Sequence, residues 1–218
     1  RNLKLMSAAS AATSTTNGRQ QIVLADILLY YPFVDTDAVG EQQDMVNTAT
    51  IPRYTSGRVI AVGQSASSTL GQFTFSYTNQ DGVAGRTSQN HFTFVVAGGG
   101  QVVASSVQSA ASFHPYLALQ AGDSGVKSIE SVTFTAGGGG LMALVIVQPL
   151  LECFVTQESR RTTSGNLETY GACNEFASVI HHRPRQIKDG AVINLFAAGH
   201  AGSLASSILA GVLETTWN

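Results

Sequence analysis

Residues 122–125 read Gly-Asp-Ser-Gly, the tetrapeptide that carries the nucleophile of trypsin-like serine proteases. In such a site the serine hydroxyl passes its proton to a histidine, an aspartate orients that histidine, and the serine oxygen attacks a carbonyl carbon. The chemistry requires a histidine and an aspartate upstream, drawn from well-separated parts of two barrels. The upstream histidines are His91 and His114, which precede Ser124 by 33 and 10 residues. That leaves too little chain for the intervening strands. The segment is also a good polar turn, because Asp123 and Ser124 can bond local backbone and the glycines relax φ. Ser124 is therefore expected to be non-catalytic.

Three other constellations invite a chemical reading. Asp35, Asp37 and Gly40 match the opening of a calcium-binding EF-hand loop. The fifth and twelfth positions would be Val39 and Val46, and the valine at the twelfth supplies no carboxylate. An acidic surface loop is the expectation. His181 and His182 are adjacent, so on a strand they point to opposite faces and do not share one metal ion. With Arg183 and Arg185 they form a small basic loop suited to an acidic neighbour. The glycine runs at 98–100 and 137–140 have neither phosphate-cradle spacing nor a strand–helix context, so they read as turns. Cys153 and Cys173 are the only cysteines, and neither lies in a CxxC pair. A disulfide closing that loop is possible, free thiols are expected, and a zinc site is not. No catalytic residue, cofactor site or metal site emerges, and a non-enzymatic protein is expected.

The elements around these residues are mostly strands. The 218 residues suffice for one large domain or two small ones. Charged residues make up only 12% of the chain, against about 25% in an average soluble domain. Such a surface suits packing against neighbours, since few charged side chains need desolvating. With a net charge of −2, general nucleic-acid binding is not expected. No apolar run reaches the ~18 residues of a membrane-spanning helix. The first residues lack a signal-peptide pattern, and because the chain opens on Arg1 rather than Met, a processed or shortened N-terminus is expected.

Phe73, Phe75 and Tyr77 alternate with Gln72, Thr74, Ser76 and Thr78, the period-two signature of a half-buried strand. Residues 91–96 and 131–135 repeat the theme, and Gly-rich turns follow each. Residues 140–150 are uniformly apolar and read as a central strand covered on both faces. Residues 22–34 are apolar up to Pro32, and periodicity does not separate a strand from a short helix there. The close, 191–218, reads as two strands around a turn, with a helix from Leu204 to Leu213 as the alternative. The fold class expected is all-β, an antiparallel β-sandwich or jelly roll. Residues 1–21 are expected to be a flexible or extended N-terminal arm that serves binding rather than folding. Residues 22–218 are expected to form a single sandwich domain with a long excursion at about 151–185.

Several stretches together resemble a family of virion structural proteins of tailed double-stranded-DNA bacteriophages. They are DILLYYPFVDTD (26–37), TIPRYTSGRVIAV (50–62), FTFSYTNQDGVAGRT (73–87), LALQAGDSGVKSIESVTF (117–134), GGLMALVIVQPL (139–150) and LETTWN (213–218). The resemblance covers most of the chain after Asp26, apart from roughly 98–113 and 151–185. It implies a capsid decoration, or cement, protein seated on the outside of the virion shell, with the major capsid protein as partner and a homo-oligomer, most plausibly a trimer, as the assembly. No catalytic residues carry over. The expected protein contacts are basic: Arg1, Lys4 and Arg19 in the arm, and Arg160, Arg161, Arg183 and Arg185 in the excursion. Two other classes share this composition. One is a tail- or fibre-associated β-module. The other is a carbohydrate-binding sandwich, which needs exposed aromatics such as Tyr30, Tyr31 and Tyr54 on one face.

Overall fold

The computed structural model describes residues 2–11, 19–45, 49–95, 99–100, 102–106, 115–156, 158–161, 167–170, 176–178, 186–198 and 208–216. Among the described residues the chain is all-β, with no helix, and its strand ladders are antiparallel. No described helix is therefore long and apolar enough to cross a membrane. The strands are β1 (Asn2–Ala11), β2 (Arg19–Asp35), β3 (Gln42–Asp44), β4 (Arg58–Gly63), β5 (Gln72–Asn79), β6 (Arg86–Thr87), β7 (His91–Thr93) and β8 (Ala104–Ser105). There follow β9 (Val126–Ala136), β10 (Leu141–Thr156), β11 (Glu158–Arg161), β12 (Leu167–Tyr170), β13 (Phe176–Ser178), β14 (Ile193–Ala198) and β15 (Ile208–Thr216).

The chain divides into two compact units, one formed by Asp26–Pro149 and the other by Arg1–Ala25 with Leu150–Asn218. In the first, β5 behaves as its alternation predicts. Phe73, Phe75 and Tyr77 are buried, while Gln72, Thr74, Ser76 and Thr78 are half-buried on the other face. β9 pairs with β5 and sets Phe134 opposite Phe73 and Val132 opposite Phe75. The rings of Phe73 and Phe134 stack with centroids 5.1 Å apart. On the far side of β5 come β7 and β8, with β6 pairing further along, and β3 borders β9. The sheet then curls. Val103 N–H donates to Ala61 O at 2.9 Å and Leu117 N–H donates to Val59 O at 2.8 Å, which ties its outer segments to β4. β4 pairs with β10, whose residues Met142–Gln148 are all buried, as a strand covered on both faces must be.

The ambiguous stretch 22–34 is a strand with irregular burial. Leu28, Tyr31 and Val34 face the core at intervals of three residues, and Pro32 and Phe33 both face outward between the last two. Phe33 has φ of +62°, a left-handed conformation costly for a residue with a Cβ. Such an extra outward residue is the mark of a bulge. Asp26, fully buried, is neutralised by the fork of Arg53, with Nε to Oδ2 at 2.9 Å and Nη2 to Oδ1 at 2.7 Å.

The glycine run 137–140 is a packed turn rather than a cradle. Thr36 N–H and Oγ1–H both donate to Gly140 O, and Ser67 Oγ–H donates to Gly138 O. At Gly140, with φ of +128°, a Cβ would lie 2.4 Å from Ala66 O, so only glycine fits.

In the other unit, β1 lies between β13 and β15 and pairs antiparallel with both, from Asn2 opposite Thr216 to Ala11 opposite Ile208 along β15. Residues 2–11, expected to act as a flexible or extended arm, are extended and hydrogen-bonded within the chain. The expected boundary at residue 21 falls inside β2, and the described parts of the excursion, β11 to β13, are strands of this unit. At the close, β14 and β15 are strands, and Ile208–Thr216 stands where the alternative helix was weighed.

His91 is an imidazole placed wholly inside the first unit. It is 0% exposed, lies 5.4 Å from the Phe75 ring in a stacked arrangement and 5.3 Å from Phe73, and its Nδ1 is 3.0 Å from Ser106 Oγ. Burial pushes its pKa down from 6.5 to about 3, so the ring is neutral in the folded state at neutral pH. The unfolded chain gains a proton near pH 6.5 while the folded chain does not until about pH 3, so stability falls as pH drops through that window. The slope from this residue is roughly 1.4 kcal/mol per pH unit. His91→Phe keeps the aromatic stack and removes the titration. Urea midpoints measured from pH 7 to pH 4 are expected to fall more steeply in the native protein than in the variant.

Candidate functional site

The Gly-Asp-Ser-Gly turn leads into β9 and sits over the end of β5. Its aspartate is the centre of a closed network. Asp123 Oδ2 accepts from Tyr77 O–H at 2.6 Å and from Arg86 Nε at 2.9 Å, and Oδ1 accepts from Asn79 Nδ2 at 2.9 Å. Its side chain is 4% exposed. Tyr77 Oη in turn accepts Gln120 N–H at 2.9 Å. The Arg86 guanidinium, then the Tyr77 and Asn79 donors, hold the Asp123 carboxyl down at about 2. Its contribution to stability is present above the ordinary carboxylate range and is lost only as pH falls through about 2. Burial, reinforced by the hydrogen bond to Asp123, pushes the Tyr77 phenol up to about 12, so it remains a donor.

Ser124 is exposed, and its N–H donates to Gln80 Oε1 at 3.0 Å. The aspartate beside Ser124 is thus committed to a tyrosine, an asparagine and an arginine. His91 is paired in register with Phe73, four positions along β5 from Tyr77, which is a strand length of about 13 Å. His91 does face a serine, Ser106, but that hydroxyl accepts Ala118 N–H at 2.7 Å and the ring is fully buried. This pair is a core contact with no approach for a substrate. His114 lies outside the described residues.

The acidic loop is tied into the glycine turn. Asp35 Oδ1 accepts Asp37 N–H at 2.9 Å, and Asp37 Oδ1 accepts Gly139 N–H at 2.9 Å. Gln43 brackets Asp35 through both its amide atoms, at 2.8 and 2.7 Å. Among the described residues no group of three or more His, Cys, Asp or Glu side chains is placed to hold a metal ion. An open groove of about 390 Å³ runs over the outer face of β3, β9 and β5, lined by Gln42, Asp44, Thr74, Ser76, Glu130 and Thr133. Glu130 accepts from Ser76 Oγ at 2.8 Å, Thr78 Oγ1 at 2.9 Å and Gly85 N–H at 3.1 Å. Burial raises its pKa, the three hydrogen bonds outweigh that, and the carboxyl is held below its usual range.

Of the residues expected to make protein contacts, Lys4 lies in β1, Arg19 opens β2, and Arg160 and Arg161 lie in β11, opposite Glu168 and Leu167. Arg1, Arg183 and Arg185 lie outside the described residues, as do Cys173, His181 and His182, so the state of Cys153 and Cys173 is not on view. Of the three tyrosines considered for carbohydrate binding, Tyr31 is buried and its hydroxyl accepts Ile129 N–H at 3.0 Å. Tyr54 is partly buried against the core, and Tyr30 is 46% exposed. The sequence reading missed Phe33, which is 73% exposed beside Tyr30. The aromatic run Tyr30-Tyr31-Pro32-Phe33 was the available signal. Its alternation is broken by the bulge, so the outward residue was not legible.

Compared with protein-family models, curated proteins and solved structures, the chain matches none.

Two outcomes test the structural role of the turn. Tyr77→Phe removes a donor to Asp123 and leaves Gln120 N–H unpaired, and is expected to cost about 1–3 kcal/mol by chemical denaturation. Ser124→Ala is expected to leave stability unchanged, and the native protein should not be labelled at Ser124 by a fluorophosphonate probe. Labelling there would overturn the structural reading.

Proposed function

We propose that this chain is a non-catalytic structural protein of a phage virion that binds the outside of the capsid and stabilises it by bridging capsomers. The observation that carries the structural half of the reading is the fate of Asp123. Its carboxylate joins the end of the aromatic row in β5 to the loop that enters β9, and no described base reaches Ser124. The virion half is supported by the resemblance of the stretches quoted above to decoration proteins.

Charge distribution adds to it. The unit Asp26–Pro149 holds eight acidic and four basic residues, a balance of −4. The other unit holds six acidic and eight basic, a balance of +2. A protein with two oppositely charged units can meet two different neighbours, or a second copy head to tail. All seven basic residues proposed as contacts belong to the positive unit. A ligand that binds only the assembled shell stabilises it by mass action. A trimer at threefold or quasi-threefold junctions would present the same patch to each capsomer.

The test uses particles stripped of the protein. They are expected to stay closed but to break at lower temperature, and adding the protein back should restore resistance. Charge reversal of Arg160 and Arg161 should weaken rebinding most at low salt, where screening is least. Imaging that finds only a few copies at the neck or tail would replace this reading with a tail module.

A further inference from the structure

We propose that Tyr30, Phe33 and Gln64 form a binding site for a neutral saccharide. The site is built on the bulge of β2. Phe33 is the most exposed large apolar residue described, at 73%, and it is presented by a backbone in the left-handed region. Exposure of a ring and strain in its backbone are both unfavourable for folding alone, and together they mark a functional position.

Gln64 holds the arrangement. Its Oε1 accepts Phe33 N–H at 2.6 Å, and its Nε2 donates to Tyr30 Oη at 3.1 Å. Gln64 is fixed in turn, since its own N–H donates to Leu141 O at 2.9 Å. One carboxamide therefore sets the positions of both aromatic residues before any ligand arrives. Counting valences shows what remains on offer among the described residues. Tyr30 retains its hydroxyl proton, Gln64 Nε2 retains a second N–H, and Oε1 retains a lone pair. These are two donors and one acceptor, all uncharged, beside two exposed rings.

The surroundings decide the ligand class. The segments that carry the bulge, Gln64 and Leu141, residues 27–34, 59–80 and 131–151, contain no Asp, Glu, Lys, Arg or His, and the exposed Asp35 follows directly on the first. The polar groups that the site itself offers, the Tyr30 hydroxyl and the Gln64 carboxamide, carry no charge to pair with a phosphate, a carboxylate or an ammonium group. A neutral sugar ring fits what is present. Its C–H faces lie against the electron-rich faces of aromatic rings, and its hydroxyls both donate and accept. This site shares no residue with the basic set proposed to contact the shell, so either reading can fail without the other.

Saturation-transfer NMR on the full chain tests the proposal, with maltoheptaose, cellohexaose and chitotetraose as neutral probes and sialyllactose against lactose as the charged pair. Transfer to at least one neutral probe is expected, with no gain from the sialic acid. Phe33→Ala should weaken that binding about tenfold, the size of a lost stacking contact. Phe33→Gly removes the ring and relieves the backbone, so it should bind as poorly while melting no lower than the native protein. No transfer to any neutral probe, or equal transfer to native protein and Phe33→Ala, overturns the proposal. Loss of particle rebinding in Phe33→Ala without any saccharide signal also overturns it and makes the patch a protein contact.

Discussion

A buried row of aromatic rings on β5 sets the terms for the rest of the first unit. Phe73, Phe75 and Tyr77 face one way, and Phe134, His91 and Val132 fill the space around them. Two of the rings bring polar atoms into the core, and buried polar atoms must find partners. Tyr77 meets this with Asp123 and Gln120, and His91 meets half of it with Ser106 while its Nε2 has no partner among the described residues. The Gly-Asp-Ser-Gly turn is a consequence of the first requirement. A carboxylate at that position closes the network that a phenol at the end of the row demands.

The same economy applies to charge. The ion pairs of Arg53 with Asp26 and of Arg86 with Asp123 each serve a carboxylate whose side chain is almost fully buried. Glycine and hydroxyl side chains also knit the loops. Thr36, Ser65, Ser67 and Thr69 all bond backbone around residues 137–141. With only eight acidic and four basic residues, the unit leaves areas of its curled sheet where another molecule can approach without displacing hydration from charges.

The bulge of β2 shows how a strand can serve core and surface at once. Tyr31 and Val34 stay inside and Tyr31 bonds Ile129, while Pro32 and Phe33 are turned out together. Proline suits that place because it needs no hydrogen-bond partner for an absent N–H. Gln64, 31 residues away in sequence, satisfies the Phe33 N–H that the distorted ladder would otherwise leave unpaired.

The sequence by itself determined the class of fold and its most regular parts. Alternation placed Phe73, Phe75 and Tyr77 in a core, and uniform apolarity placed 140–150 at the centre, because burial on one face or two leaves a direct trace in residue type. The expectation that Ser124 is non-catalytic also rests on the chain alone, through the spacing of His91 and His114. What it did not contain is where the chain departs from regular spacing. Core positions at 28, 31 and 34 fit a helix or a strand equally, and only the pairing of β2 within a sheet makes Phe33 the residue that is turned outward. The partners of Asp123 lie 37 to 46 residues distant, and β1 finds its neighbours in β13 and β15 from the far end of the chain. Such contacts are chosen by tertiary closure, because a hydrogen bond depends on the position of its acceptor in space and residue type alone does not record it.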